Sequence, residues 1–202
     1  MSVRINSPDG RSPRRKPESL AKIKKFARKL FVERGYHATR PQDIAREAGL
    51  GHGTFYLHLP DKRACFMAFV DDARQELDAF IRERVGEHSS LEEQIALTLH
   101  AIFEYMDGHP GVLKAALSDE AIIDAEGTQN VPILQRWGYD WGNILVKAAS
   151  AGQIAPFYDA NIIGQAVVGA IHQTSGEAAR IGRSRSDVIR NLTQFLVRAL
   201  RP

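Results

Sequence analysis

Apolar residues in this chain recur at intervals of three and four, the period of helices that bury one side. Over residues 17–34 the stripe is Leu20, Ile23, Ala27, Leu30 and Phe31, with Lys22, Lys25 and Lys29 off it and Gly35 a natural stop. A longer stripe of Phe66, Phe69, Ala73, Leu77, Phe80 and Ile81 predicts one helix over 61–86. Its first half is expected to face an N-terminal head and its second half to enter a body, so that one rod belongs to both.

Between these two helices, residues 39–62 read as two short helices joined by a tight turn. Ile44, Ala45 and Ala48 give the first an apolar side, and Pro41 suits a first turn that needs no backbone donor. Gly49 stands where the chain reverses, since a left-handed residue costs glycine almost nothing. The second helix is expected from about Gly51 to Leu59, ended by Pro60, with Phe55 and Leu59 buried. That leaves His52, Thr54, Tyr56 and His58 for a partner. A support helix followed by one offered to the DNA major groove is a helix-turn-helix.

Further along, Ser89 and Ser90 with Glu92 and Glu93 offer two overlapping capping boxes for a helix over 91–106, and Gly108-His109-Pro110 ends it. A short helix to about Leu117 follows. Residues 118–130 are ambiguous, because Ala121–Ala125 suit a helix while Gly127 and Asn130 favour a loop. Helices are predicted over 131–151, from Asp159 as cap to about Ile181, and over 184–200, with Gly152 and Gly182 as breaks. No stretch sustains strand alternation. The expected fold is all-α: a three-helix head with a helix-turn-helix, then a helical ligand-binding and dimerisation body.

Charge changes the picture. Residues 1–63 hold 15 Lys+Arg against 6 Asp+Glu, a net of +9, while residues 64–202 hold the remaining 12 against 18, a net of −6. A duplex carries about one negative charge per ~1.7 Å of axis, so it attracts such a head and repels such a body. Residues 1–16, with Pro8, Gly10, Pro13 and a basic end of Arg11, Arg14, Arg15 and Lys16, read as a flexible arm. The expected division is therefore arm 1–16, DNA-binding head 17–64 and body 65–202.

The residues Phe31, Gly35-Tyr36, Thr39, Asp43-Ile44-Ala45, Ala48-Gly49-Leu50, Gly53-Thr54-Phe55-Tyr56, His58 and Lys62 together resemble the TetR family of transcriptional regulators. The resemblance covers roughly residues 18–70. The chain departs from the family pattern at Arg40-Pro41, where Ser or Thr usually caps the helix, at Gly51, usually Ser, and at Leu59, usually Phe. These departures bear on DNA sequence preference more than on fold, since glycine still starts a helix, though less well than serine.

By position in the motif, Gln42, His52, Gly53 and Tyr56 are the candidates for base edges. Thr39, Arg40, Thr54, Tyr56, His58 and Lys62 are candidates for phosphate contacts, which set position without reading sequence. For His58 the plain alternative is an imidazole packed between helices. In the body, Phe103, Tyr105, Trp137, Tyr139, Trp141, Phe157 and Tyr158 supply aromatic walls. Phe103, Met106, Trp137, Trp141 and the lone polar His172 are the candidate effector-binding set, although core packing explains any one of the apolar members as well. The last two helices carry more apolar surface than one narrow stripe. From it Val167, Ile171, Val188, Leu192 and Phe195 are the candidate homodimer interface, with Gly164 and Gly169 permitting close approach. A two-fold four-helix interface is also what the resemblance implies.

No phosphate-binding glycine loop, Gly-x-Ser-x-Gly or His-Glu-x-x-His occurs, and the seven histidines are scattered. No catalytic residue, metal site or cofactor is expected. Cys65 is the single cysteine, so no internal disulfide forms, and it reads as a small buried hydrophobe. With no apolar run of membrane length and no signal core, a cytoplasmic protein is expected. The partners are double-stranded DNA, a second copy and a mostly apolar or aromatic effector. The function expected is a ligand-responsive regulator, a repressor released from a palindromic operator by a small molecule. The rival is a constitutive dimeric DNA-binding protein whose body serves only dimerisation.

Overall fold

The computed structural model describes residues 15–86, 90–118, 131–156 and 159–200. Among them the regular structure is helical throughout: α1 Arg15–Ala38, α2 Pro41–Glu47, α3 His52–Tyr56, α4 Lys62–Arg84, α5 Leu91–Gly108, α6 Val112–Leu117, α7 Ile133–Ser150, α8 Ala160–Arg180 and α9 Arg185–Leu200. The expected arm, the ambiguous stretch 119–130, and Phe157 and Tyr158 lie outside the described residues. The described residues form two compact units, those up to 71 with 114–118 and those from 72 to 113 with those after 130. The boundary thus falls inside α4.

In the first unit, α1 is interrupted at Gly35, whose φ of 75° turns the chain out of the helix. Ile23, Ala27, Leu30 and Phe31 are buried on one side of α1, the stripe expected from their spacing. They form the core with Ile44, Ala45, Phe55, Cys65 and Phe66, all buried. Phe31 meets Phe66 edge-on at 5.1 Å and Phe69 at 5.6 Å, which makes an aromatic centre for a small head. Burial pushes the Cys65 thiol up to about 12, with nearby Lys24 opposing, so it stays protonated and unreactive at neutral pH.

In the second unit, the helix ends sit where the capping residues put them. Ser90 and Glu93 complete a reciprocal capping box at α5, and the Asp159 carboxylate accepts from the Asn161 and Ile162 amides at α8. The core joins Ile95, Leu99 and Phe103 of α5, Trp141 and Leu145 of α7, Val167, Val168 and Ile171 of α8, and Ile189, Leu192 and Leu196 of α9. Helices α7 and α8 cross almost backbone to backbone. A Cβ on Gly164 would lie 2.1 Å from the Gly138 carbonyl oxygen and 2.6 Å from the Gly142 nitrogen. Gly164 therefore serves close packing inside one chain, whereas Gly169 faces open space.

That packing corrects the expected dimer interface. Val167, Ile171 and Leu192 are buried in their own chain's core and have no surface to offer a second copy. Val188 is half-buried against the same core. Phe195 alone of the five points outward, at 62% exposure. The outward side of α8 is Ile162, Ala166, Gly169, Gln173 and Gly176, a stripe of helical period with Ile162 66% exposed.

Candidate nucleic-acid interface

Helix α2 starts at Pro41 after an extended Arg40 whose side chain makes no capping bond. The turn to α3 runs through Gly49, left-handed at φ 66°, with the Leu50 amide donating to the Ala45 carbonyl at 2.9 Å. Helix α3 covers only His52–Tyr56, shorter than expected, and the following Leu57 still has helical dihedrals. Its buried anchor is Phe55, while Leu59 is half-buried. The opposite side is open: His52, Gly53, Tyr56 and Leu57 are exposed, Tyr56 by 48% and Leu57 by 57%. The His52 and Tyr56 rings meet edge-on at 5.5 Å, so the two outward rings form one unit.

Arg40 and Gln42, at the start of α2, are exposed, and Thr54 is half-buried. The His58 imidazole is half-buried with Nε2 2.6 Å from the Ser19 hydroxyl of α1, so it packs between helices while keeping part of its surface. Thr39 is a correction. Its side chain is 0% exposed, and its hydroxyl donates to the Gly35 carbonyl at 2.8 Å and is also 3.2 Å from that of Leu30. A side chain committed to the end of α1 has no reach to a phosphate. Lys62 is half-buried, with its ammonium 3.1 Å from the Tyr36 carbonyl oxygen and 4.2 Å from the centre of the Tyr36 ring. Leu57 was not among the expected contacts, and its signal was available: an apolar residue two beyond Phe55 falls off the buried side.

This motif is the one matched by the model for bacterial regulatory proteins of the tetR family, over residues 23–69. Residues 23–69 are thus a TetR-family DNA-binding region. The chain is a transcriptional regulator with a DNA-binding helix-turn-helix. A fatty acid metabolism regulator protein of Bacillus subtilis (strain 168) is 23% identical over 146 residues, 72% of this chain and 75% of that protein. The uncharacterized HTH-type transcriptional regulator YerO of the same organism is 39% identical over 51 residues, but these are 25% of this chain and 18% of YerO. The solved structure of the fatty acid degradation regulator FadR from Bacillus halodurans aligns with a TM-score of 0.70 at 17% identity, covering 94% of this chain and 97% of that one. A protein of unknown function from Rhodococcus sp. RHA1 aligns with a TM-score of 0.73 at 18% identity, covering 98% and 100%. At such identities the likeness in the body is one of fold.

Of the body's candidate effector residues, four come together. Phe103 and Trp141 are buried in one cluster, with Met106 and Trp137 packed against it. The Trp137 indole donates to Asp78 at 3.0 Å, and Arg74 pairs with the same carboxylate at 2.9 Å. Burial, with Asp78 close by, pushes the Asp140 carboxyl above its ordinary range against the pull of Arg74 and Arg136. His172 does not join them. It is exposed on α8, outside the apolar cluster, because its position in the helical cycle lies beyond the inward pair Val168 and Ile171. Among the described residues no helix is long and apolar enough to cross a membrane.

Proposed function

We propose that this TetR-family protein is a homodimeric, ligand-responsive repressor that binds a palindromic DNA site and leaves it when a mostly apolar small molecule occupies the body. The observation that carries the DNA half is the outward side of α3, where His52, Gly53, Tyr56 and Leu57 stand clear while Phe55 anchors the helix. Arg40, Gln42, Thr54 and His58 flank that surface, and the basic head supplies the field that draws it to a duplex. Tyr56 and Leu57 suit apolar contact with thymine methyl groups, and Gln42 suits an adenine edge.

The second copy docks through the outward side of α8, Ile162, Ala166 and Gly169, together with Phe195 of α9. Large apolar side chains this exposed on neighbouring terminal helices, with small residues between them, favour an isologous helix pair. Two heads then read half-sites about one helical turn, ~34–36 Å, apart. The effector site is assigned to Phe103, Met106, Trp137 and Trp141, with the Asp78–Arg74 pair as its polar edge. Two relatives are by name regulators of fatty acid metabolism or degradation, which makes acyl chains the first ligands to test. Helix α4, which has residues in both units, is the element through which binding in the body would reach the head. The protein works in the cytoplasm, where its DNA lies.

The test is selection of bound fragments from genomic DNA, followed by titration of the recovered duplex with and without fatty acids and their thioesters. A palindrome is expected, with operator affinity falling about 5–150-fold in the presence of effector, an ordinary coupling of 1–3 kcal/mol. A ligand that binds the body tightly and leaves operator affinity unchanged would sink the switching claim and favour a constitutive regulator.

A further inference from the structure

From residue 72 onward α4 belongs to the second unit, and side chains of two other helices hold it there. Helix α5 holds it at two places. The Tyr105 hydroxyl donates to the Glu76 carboxylate at 2.9 Å. Arg84 donates to Glu104 at 2.8 and 2.9 Å, with its guanidinium 3.3 Å from the centre of the Phe80 ring. Helix α7 holds it at Asp78. The Trp137 indole N–H donates to one oxygen of that carboxylate at 3.0 Å, and Arg74, one turn back on α4, donates to the other at 2.9 Å. Arg74 and Asp78 are both largely buried.

Trp137 differs from the other ties because it also belongs to the effector set. It packs against the main apolar cluster, which holds Phe103 and Trp141, and against the smaller one of Leu77, Tyr105 and Leu113, where α4 contributes. Helix α7 cannot give way at this point. The neighbouring Gly138 meets α8 with its carbonyl oxygen 2.1 Å from where a Gly164 Cβ would lie, and the Gln165 amide donates to the Gln135 carbonyl at 2.8 Å. A molecule seated among Phe103, Met106 and Trp141 therefore moves the Trp137 ring and not the helix that bears it. The indole N–H is a directional donor, and its bond weakens steeply as the angle opens. When the ring turns, Asp78 keeps Arg74, a residue of its own helix, and loses α7.

We propose that Trp137 is a positioning residue for operator binding: its indole N–H on Asp78 holds α4 in place, and an effector acts by turning that ring. This rests on the reading of a dimer whose two heads must be spaced to fit successive grooves. Spacing matters on a palindrome and not on a half-site, where one head binds alone. The full chain is therefore titrated against the palindrome recovered by genomic selection and against a half-site duplex, beside its Trp137→Phe, Asp78→Leu and double variants. Helix content is checked by circular dichroism. Trp137→Phe keeps a ring and removes the donor, and is expected to weaken palindrome binding about fivefold or more while half-site binding stays the same. Asp78→Leu removes the acceptor and should act alike; if it does not fold, the phenylalanine variant decides. The double variant should be no worse than the more affected single one, because both cut one bond. Ile189→Val trims the same core without touching this bond and should bind both duplexes as the unmodified chain does.

Oleate serves as the effector probe. It should lower the palindrome affinity of the unmodified chain and leave that of Trp137→Phe, already released, where it stands. Equal losses on the palindrome and the half-site would place the effect in the head and overturn the proposal. So would a Trp137→Phe protein that binds the palindrome as before, losses that add in the double variant, or an oleate response as large in Trp137→Phe as in the unmodified chain. An unmodified chain that recovers no palindrome, or that does not respond to oleate, would instead sink the two-headed or the acyl-effector reading on which this one rests.

Discussion

The two units of this protein use glycine in opposite ways, and the contrast separates what a motif specifies from what packing specifies. In the head, Gly53 lies exposed on α3 with nothing within 4 Å of where a Cβ would be. Its lack of a side chain matters to whatever approaches from outside. In the body, Gly164 is buried at a helix crossing with another chain segment's backbone 2.1 Å from its missing Cβ. Its lack of a side chain matters to the protein alone. The head therefore carries its information on its surface, in a run of residues short enough to recognise. The body carries its information in pairs of residues far apart in the chain.

Alanine at the two positions should expose that difference, and the larger effect belongs to the body. Gly164→Ala drives a methyl group into the backbone of Gly138 and Gly142, where no side chain can swing away. Overpacking of this kind costs roughly 3 kcal/mol, at the upper end of its ordinary range, so urea unfolding should show a large loss of stability. Gly53→Ala should leave stability equal or raise it by up to about 1 kcal/mol, since alanine is the better helix former. Any fall in DNA affinity in that variant then reads the surface alone. Equal stability losses in the two variants would erase the distinction.

The same distinction explains what was legible in the sequence. Helix order and most helix ends were, because Ser90, Asp159, Gly35 and Gly49 act on their own neighbours. The outward side of α3 was legible for a similar reason, since one aromatic anchor, Phe55, fixes the phase of a short helix. The phase of α8 was not. Its apolar residues lie on both sides, Val167 and Ile171 inward and Ile162 and Ala166 outward, and counting them gives width without direction. Nor was the role of Thr39 legible, because its acceptors are backbone carbonyls of Gly35 and Leu30, which no residue letter encodes.

Thr39→Val tests that second point with a smaller effect than Gly164→Ala. Valine keeps the shape and removes the donor from which the Gly35 carbonyl accepts, in a buried place. The expected loss is about 1–3 kcal/mol of stability in urea unfolding. A side chain that served DNA instead would leave stability unchanged and lower the salt slope of binding by about one unit.

The smallest effect concerns the caps, where head and body also differ. Arg40 and Gly51, the residues that begin α2 and α3, make no side-chain capping bonds, whereas Asp159 accepts from the Asn161 amide at 2.8 Å at the start of α8. Asp159→Ala should cost about 1 kcal/mol by thermal unfolding, the usual value of a cap. Arg40→Ser and Gly51→Ser run the opposite way: each supplies a hydroxyl to a helix that lacks one, and each should stabilise the head by a few tenths of a kcal/mol up to about 1. If either head variant gains stability while losing DNA affinity, the missing cap reflects what the residue does at the DNA surface. If both stability and affinity rise, the departure from the commoner residue carries no role in recognition, and Arg40 leaves the contact set.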